Sequence, residues 1–228
     1  MRGLVRVGAA VPSLALGNVK ENMKRHLAMM REAKEKHVSI VTFPELSLTG
    51  YTCGDLFFQR RLLDGVTDAL LALKDEMPEG ILAVVGAPLE IEGALYNCAV
   101  VLHKGEIISA VPKTFLPNNG EFYEKRWFQS GDARRDASVA IQKLKTDVCR
   151  QAIFETEDGV RFGIELCEDL WAPLPPSTML SVEGAEIILN LSASNELLSK
   201  REYRQQLISQ QSARCQCGYV YVLSLIHI

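Results

Sequence analysis

Apolar positions along this chain switch repeatedly between two periods. Leu4–Val11 is a near-continuous apolar run, Val38–Phe43 a short block ended by Pro44, and Ile81–Ala87 almost purely apolar. Blocks of this length bounded by breakers predict strands, the last of a kind buried on both faces. Between them, Asn18–Lys36 sets Val19, Met23, Leu27, Met30 and Ala33 at helical spacing with charges elsewhere, an amphipathic helix. Asp55–Lys74 predicts a second helix. Leu95–Leu102 and Glu106–Val111 read as strands joined by His-Lys-Gly, and Gln151–Glu155 with Val160–Leu166 as a hairpin around Asp158-Gly159. Pro112–Asp136 is polar, contains Asn-Asn-Gly and clustered aromatics, and reads as one long functional loop. A proline-rich stretch and a short helix lead to strand Ile187–Leu191. A helix over Ser199–Cys217 then carries Tyr203, Leu207, Ile208, Gln211 and Cys215 on one face, and Tyr219–Ile228 closes the chain as a strand. That order implies sheets covered by helices, an α/β layered domain.

The length of 228 residues suits one domain, and 47% apolar with 23% charged residues is too apolar for disorder. A net charge of −3 offers neither a basic footprint for nucleic acid nor a polybasic membrane signal. Met1-Arg2 and the apolar residues after it superficially resemble a signal peptide. Arg6 interrupts that stretch, and the alternation of Leu4, Val5, Val7 and Ala9 suits a buried strand better. The longest uncharged apolar run, Tyr219–Ile226, is far short of the ~20 residues a membrane helix needs. Six cysteines are too sparse for a disulfide scaffold, and Cys215 and Cys217 sit closer than pairs that usually bridge. The four histidines are far apart, so no metal site is expected. A reduced, cytoplasmic compartment follows.

Common catalytic motifs (G-x-S-x-G, H-E-x-x-H, the phosphate loop, G-x-G-x-x-G) are absent. What remains is a cysteine and two charged residues, each ending a strand. Cys167 follows Arg161–Leu166, where an abrupt stop presents a side chain at the sheet edge. A lone cysteine is ordinarily a small buried hydrophobe, but Glu165, Glu168 and Asp169 beside it make poor core. Acids raise a thiol's pKa, so activation needs a base and a nearby cation. Glu45, at the end of Val38–Phe43 beside Phe43 and Leu46, is a partly desolvated carboxylate suited to that base, or a surface loop acid. Lys113, after Glu106–Val111 and Pro112, suits oxyanion stabilisation, or is a solvated cation.

Three segments then carry a resemblance. Phe43-Pro-Glu-Leu-Ser-Leu-Thr-Gly-Tyr51, Pro112-Lys-Thr-Phe-Leu-Pro117 with Glu121-Phe-Tyr-Glu124, and Glu165-Leu-Cys-Glu-Asp-Leu-Trp171 resemble the signature segments of the nitrilase (carbon–nitrogen hydrolase) superfamily. Gly54-Asp-Leu-Phe-Phe-Gln59, Trp171–Ser177, Asn190-Leu-Ser-Ala-Ser194 and Gln211-Ser-Ala-Arg-Cys215 are similar to the glutaminase domains of glutamine-dependent NAD synthetases. The resemblance spans nearly the whole chain. It implies a four-layer α-β-β-α sandwich and a Glu45–Lys113–Cys167 triad hydrolysing glutamine through a thioester. It further implies that Glu121 orients the lysine, that Glu168 supports the site, and that Tyr51, Asn119, Phe122, Ser194 and Lys200 line the glutamine pocket.

The same resemblance implies that no cofactor works in this domain, ATP and Mg acting in a synthetase domain absent from the chain. The expected partners are glutamine, that synthetase domain and further copies in a homo-oligomer. Alternatives are a free-standing amidase or carbamoylase of the superfamily, and a catalytically silent interaction module. The only Ser-Gly, Ser130-Gly131, is followed by Asp132 and lacks the Ser-Gly-Gly phosphate cradle of synthetase domains. Residues 1–228 are therefore expected to form a glutamine amidotransferase domain truncated at its C-terminal end within the strand Tyr219–Ile228, with further strands missing, poorly soluble and unable to make NAD.

Overall fold

The computed structural model describes residues 4–133, 136–141 and 144–226. In chain order these form β1 (Val7–Ala9), α1 (Val19–Glu35), β2 (Ile40–Thr42), α2 (Arg60–Glu76), β3 (Leu82–Ile91), β4 (Ala94–His103) and β5 (Glu106–Pro112). There follow α3 (Glu124–Trp127), β6 (Ala137–Ile141), β7 (Leu144–Val148), β8 (Ile153–Glu155) and β9 (Arg161–Leu166). The last elements are α4 (Pro176–Val182), β10 (Ile187–Ser194), α5 (Lys200–Cys215) and β11 (Gly218–Leu225).

The strands make a seven-stranded sheet, β1-β2-β3-β4-β5-β7-β6, and a four-stranded sheet, β11-β10-β9-β8. β1, β2 and β3 pair in parallel, as do β9, β10 and β11, while β3, β4 and β5 form an antiparallel meander. Apolar side chains on both faces of the central strands explain the layering. On one face Ile40, Val84, Val101 and Val111 of the large sheet meet Phe162, Ile164, Leu166, Leu189 and Leu191 of the small one. On the outer face of the large sheet Val41, Ala83 and Val85 pack under Leu27 and Met30 of α1 and Val66, Leu70 and Leu73 of α2. Ile188 on the outer face of the small sheet packs with Leu180 of α4. The result is the four-layer α-β-β-α sandwich that the resemblance implies.

Several elements differ from the sequence pattern. The helix expected over Asp55–Lys74 is a 3-10 turn over Tyr51–Phe58 followed by α2, because Gly54 (φ 57°, ψ −136°) and Gln59 (ψ 118°) leave helical geometry. The long Pro112–Asp136 loop contains α3 and a 3-10 turn at Gly131–Ala133; its Arg134 and Arg135 lie outside the described residues. β6 and β7 form an antiparallel pair that widens the large sheet through a parallel Ser109↔Asp147 register with β5. β7 shows the alternating burial of a half-covered strand, in Leu-Lys-Thr-Asp-Val, and five residues with three polar ones give too little pattern to read. On α5 the inward face runs through Leu207, Ile208, Gln211 and Cys215 as expected, but Arg204 takes the place of Tyr203, which is 57% exposed and packs on Trp171. The expected first strand begins only at Val7, with Leu4–Arg6 outside it, and His227 and Ile228 of the expected last strand lie outside the described residues. Among the described residues no helix is long and apolar enough to cross a membrane.

Candidate active site

β2 ends at Thr42, and the chain turns sharply into the sandwich so that Phe43 through Leu48 are buried. Leu46 takes a left-handed conformation in this turn (φ 50°). The turn lies so close to β3 that a Cβ on Gly86 would sit 2.3 Å from the Pro44 carbonyl oxygen, so only glycine fits. From α1, Asn22 Nδ2 donates to the Leu48 carbonyl (3.0 Å), and His26 Nε2 meets Ser47 Oγ at 2.8 Å. The other ring nitrogen of His26 lies 2.7 Å from the Asn22 carbonyl, which can only accept, so Nδ1 carries the hydrogen and Nε2 accepts from Ser47. These contacts fix Glu45, whose carboxylate is fully buried.

Lys113 leaves β5 one residue after Pro112. Its N–H donates to the Asn97 carbonyl on β4 (2.8 Å), and its ammonium is buried. Cys167 is the first residue past β9 and adopts φ 41°, a strained left-handed turn at the strand end. Asp169 holds that turn: its carboxylate accepts from Leu166 N (3.0 Å), Thr114 N (3.1 Å) and Phe115 N (2.7 Å), joining the cysteine turn to the segment after Lys113. Glu165, on the same strand, is buried and accepts from Ser177 N at the start of α4 (2.8 Å) and from the Tyr219 hydroxyl.

The three strand ends converge. Lys113 Nζ donates to Glu45 Oε1 (2.7 Å), Ala193 N donates to Glu45 Oε2 (2.9 Å), and Cys167 Sγ lies 3.5 Å from the Ala193 carbonyl. The second carboxylate on Lys113 is Glu124 Oε1 (2.6 Å). Glu121, expected there, instead accepts from Asn195 Nδ2, three residues earlier in the loop and turned toward the rim. The reason is α3: Arg126 grips both oxygens of Asp55 at 2.7 Å and Phe57 packs on Trp127 and Phe128, so this single turn docks with Glu124 inward. Glu124 and Asn97, which donates to Glu45 Oε1 at 2.7 Å, are the residues the sequence reading missed.

Burial, then the Glu45 carboxylate, pushes the Cys167 thiol well above its ordinary range, with Lys113 pulling the other way. The resting sulfur is therefore a thiol. Burial opposes the Lys113 charge, but Glu124 and Glu45 outweigh it and hold the ammonium protonated. Burial raises Glu124 to about 7 against the pull of Lys113. Burial, then Glu124 and Glu45, keeps the Tyr51 phenol protonated, and it donates to Glu124 Oε1 at 2.7 Å.

The remaining expected residues surround this centre unevenly. Lys200 Nζ lies 5.6 Å from the Phe122 ring centroid and 5.8 Å from that of Trp171, and it donates to Asn195 Oδ1. Tyr51 meets Phe122 edge to face at 6.2 Å. Ser194 is buried at the end of β10. Glu168 is half-buried, its carboxyl raised by burial and by Glu45 while Lys113 and Lys200 oppose. Asn119 stands apart on an exposed turn, its carbonyl accepting from Phe122 N (3.1 Å).

A buried acid, lysine and thiol on three strand ends can run nucleophilic acyl chemistry, and the family comparison agrees. The carbon–nitrogen hydrolase model matches residues 6–225. The chain belongs to the carbon–nitrogen hydrolase family. Within it, the chain is similar to the glutamine-dependent NAD(+) synthetase of Mycobacterium tuberculosis, 37% identical over 222 residues. That match takes in 96% of this chain and 32% of the mycobacterial protein, so the chain spans about a third of that relative's length. In three dimensions this carbon–nitrogen hydrolase resembles a glutamine-dependent NAD(+) synthetase from Cytophaga hutchinsonii (TM-score 0.85, 29% identity), over 98% of this chain and 36% of that one. It shares its fold with an amidase from Nesterenkonia (TM-score 0.76, 16% identity), over 98% of this chain and 77% of that one.

Proposed function

We propose that the chain is the glutamine-hydrolysing part of a glutamine-dependent NAD(+) synthetase. The observation that carries this reading is the Glu45–Lys113–Cys167 cluster in a chain that aligns with NAD(+) synthetases over 96% of its length. Glu45 takes the thiol proton as the sulfur lone pair attacks the carboxamide carbon of glutamine. The carbonyl electron pair moves onto oxygen, where Lys113 Nζ, with a hydrogen to spare, stabilises it. Glu45 returns the proton to the departing nitrogen, ammonia leaves, and water attacks the γ-glutamyl thioester to release glutamate. Lys200, Phe122, Tyr51, Ser194 and Glu168 surround the amino-acid end of glutamine, while Asn119, on its exposed turn, shapes the loop. The ammonia then serves an ATP-dependent amidation of deamido-NAD(+) in a further segment of the protein, where ATP and Mg act.

A cytoplasmic location and a homo-oligomeric assembly belong to the same reading. The test is a substrate panel with mass spectrometry. Glutamine should be hydrolysed in preference to nitriles, N-carbamoyl amino acids and simple amides, and a glutamine-like thioester trap should label Cys167. Preference for a nitrile or carbamoyl compound overturns the assignment in favour of a free-standing hydrolase, and labelling elsewhere removes the nucleophile.

A further inference from the structure

Asn97 sits in the middle of the apolar strand β4, 1% exposed, between Tyr96 and Cys98. Both arms of the site meet on it. Its carbonyl accepts from Lys113 N (2.8 Å) and its side-chain Nδ2 donates to Glu45 Oε1 (2.7 Å). Its own Oδ1 is buried with no donor among the described residues. The reverse orientation of the amide would set an acceptor against the carboxylate, so the nitrogen faces Glu45. A half-satisfied amide is a costly filler where any apolar residue would pack. The carboxylate explains why it is there.

A carboxylate offers about four acceptor positions, two on each oxygen. Asn97 Nδ2 and Lys113 Nζ occupy Oε1, each at 2.7 Å. Ala193 N occupies one position on Oε2 (2.9 Å), and the carbonyl of the same residue is where Cys167 Sγ rests, at 3.5 Å. The remaining open position is thus on the oxygen nearest the thiol's resting partner. We propose that Asn97 is a positioning residue that, with Lys113, closes Glu45 Oε1 and so makes Oε2 the atom that takes the Cys167 proton. The proton moves from Sγ to Oε2 as the sulfur lone pair forms the bond to carbon, and leaves Oε2 for the departing nitrogen. This rests on the reading of Cys167 as nucleophile and Glu45 as base.

A carboxylate that loses a hydrogen-bond donor becomes more basic. In Asn97→Ala, the acid limb of the pH profile for Cys167 alkylation by iodoacetamide should therefore move up by about one to two pH units, the order of one charged hydrogen bond. The nearly isosteric Asn97→Asp, which sets a second acid beside Glu45, should move it at least as far. It decides the matter should the alanine variant unfold. The limb of kcat for glutamine should follow, with KM little changed. A folded variant whose limb stays at the wild-type pH, whatever its rate, overturns the proposal. Alkylation needs no glutamine, so a shifted limb in a protein that hydrolyses another amide sinks the substrate assignment alone.

Discussion

Lys113 Nζ has three hydrogens, and two are committed, one to Glu45 Oε1 and one to Glu124 Oε1. In the proposed mechanism the oxyanion receives the third, so its direction depends on both carboxylates. Replacing Glu124 by Gln should lower kcat for glutamine by roughly 10²-fold, the order of losing one oxyanion donor, with KM changed far less. Glu121→Gln should do the opposite: kcat within a few-fold of wild type and a raised KM, because Glu121 holds only the Asn195–Lys200 arm at the rim. Steady-state kinetics of the two variants separate these roles, and equal losses of kcat would contradict the geometry. The two acids also mark where residue-level reading stops. Glu45, Lys113 and Cys167 were legible because each ends an apolar run, a position that has a direction. Glu121 and Glu124 sit three apart in a loop without periodicity, and only the Asp55–Arg126 grip on α3 decides which one points in. Asn97 was hidden by its own strand, since one polar residue in an apolar run carries no sign of what it faces.

Among the elements, α1 has a task beyond covering the sheet. Its Asn22 and His26 brace the turn that carries Glu45, and the His26 ring packs on Phe43 at 4.3 Å between centroids, tilted by 32°. Burial lowers the His26 pKa to about 4, against an unfolded value of 6.5. Between those two values the unfolded chain binds a proton that the folded one refuses. The stability tied to neutral His26 is thus complete above pH 6.5 and is lost as pH falls toward 4, on the order of 3 kcal/mol in all. Urea unfolding of wild type and His26→Gln from pH 4 to 7 reads this: the wild-type curve should fall more steeply toward acid. Parallel slopes would show that His26 is already charged in the fold. The helix itself was plain from its 3.6-residue period. Its bracing function was not, because hydrogen bonds from its face to a turn over twenty positions later leave no local pattern. The same holds for β6 and β7, whose place in the sheet is set by pairing with β5.

At the scale of the molecule, the site is built across the sandwich. Glu45 and Lys113 leave strands of the seven-stranded sheet, whereas Cys167 and Ala193 belong to strand ends of the four-stranded one. Their mutual placement is thus a property of the inter-sheet layer, where Leu166, fully buried, packs with Val84, Val101 and Leu191 immediately before Cys167. The apolar strands and intervening helices announced such a layered architecture, but nothing local says which strand ends will meet. This separates stability from activity in a checkable way. Leu73 on α2 is as deeply buried as Leu166 but lies in the outer layer, under a helix. Leucine-to-alanine changes at both should each cost about 2–5 kcal/mol in urea unfolding. Leu166→Ala should also lower kcat for glutamine by an order of magnitude or more, since displacements of about 1 Å in a reacting geometry cost up to 10²-fold. Leu73→Ala, assayed well below its melting temperature, should keep kcat near wild type. If both variants lose kcat alike at equal stability, the site depends on global rigidity rather than on the seam between the sheets.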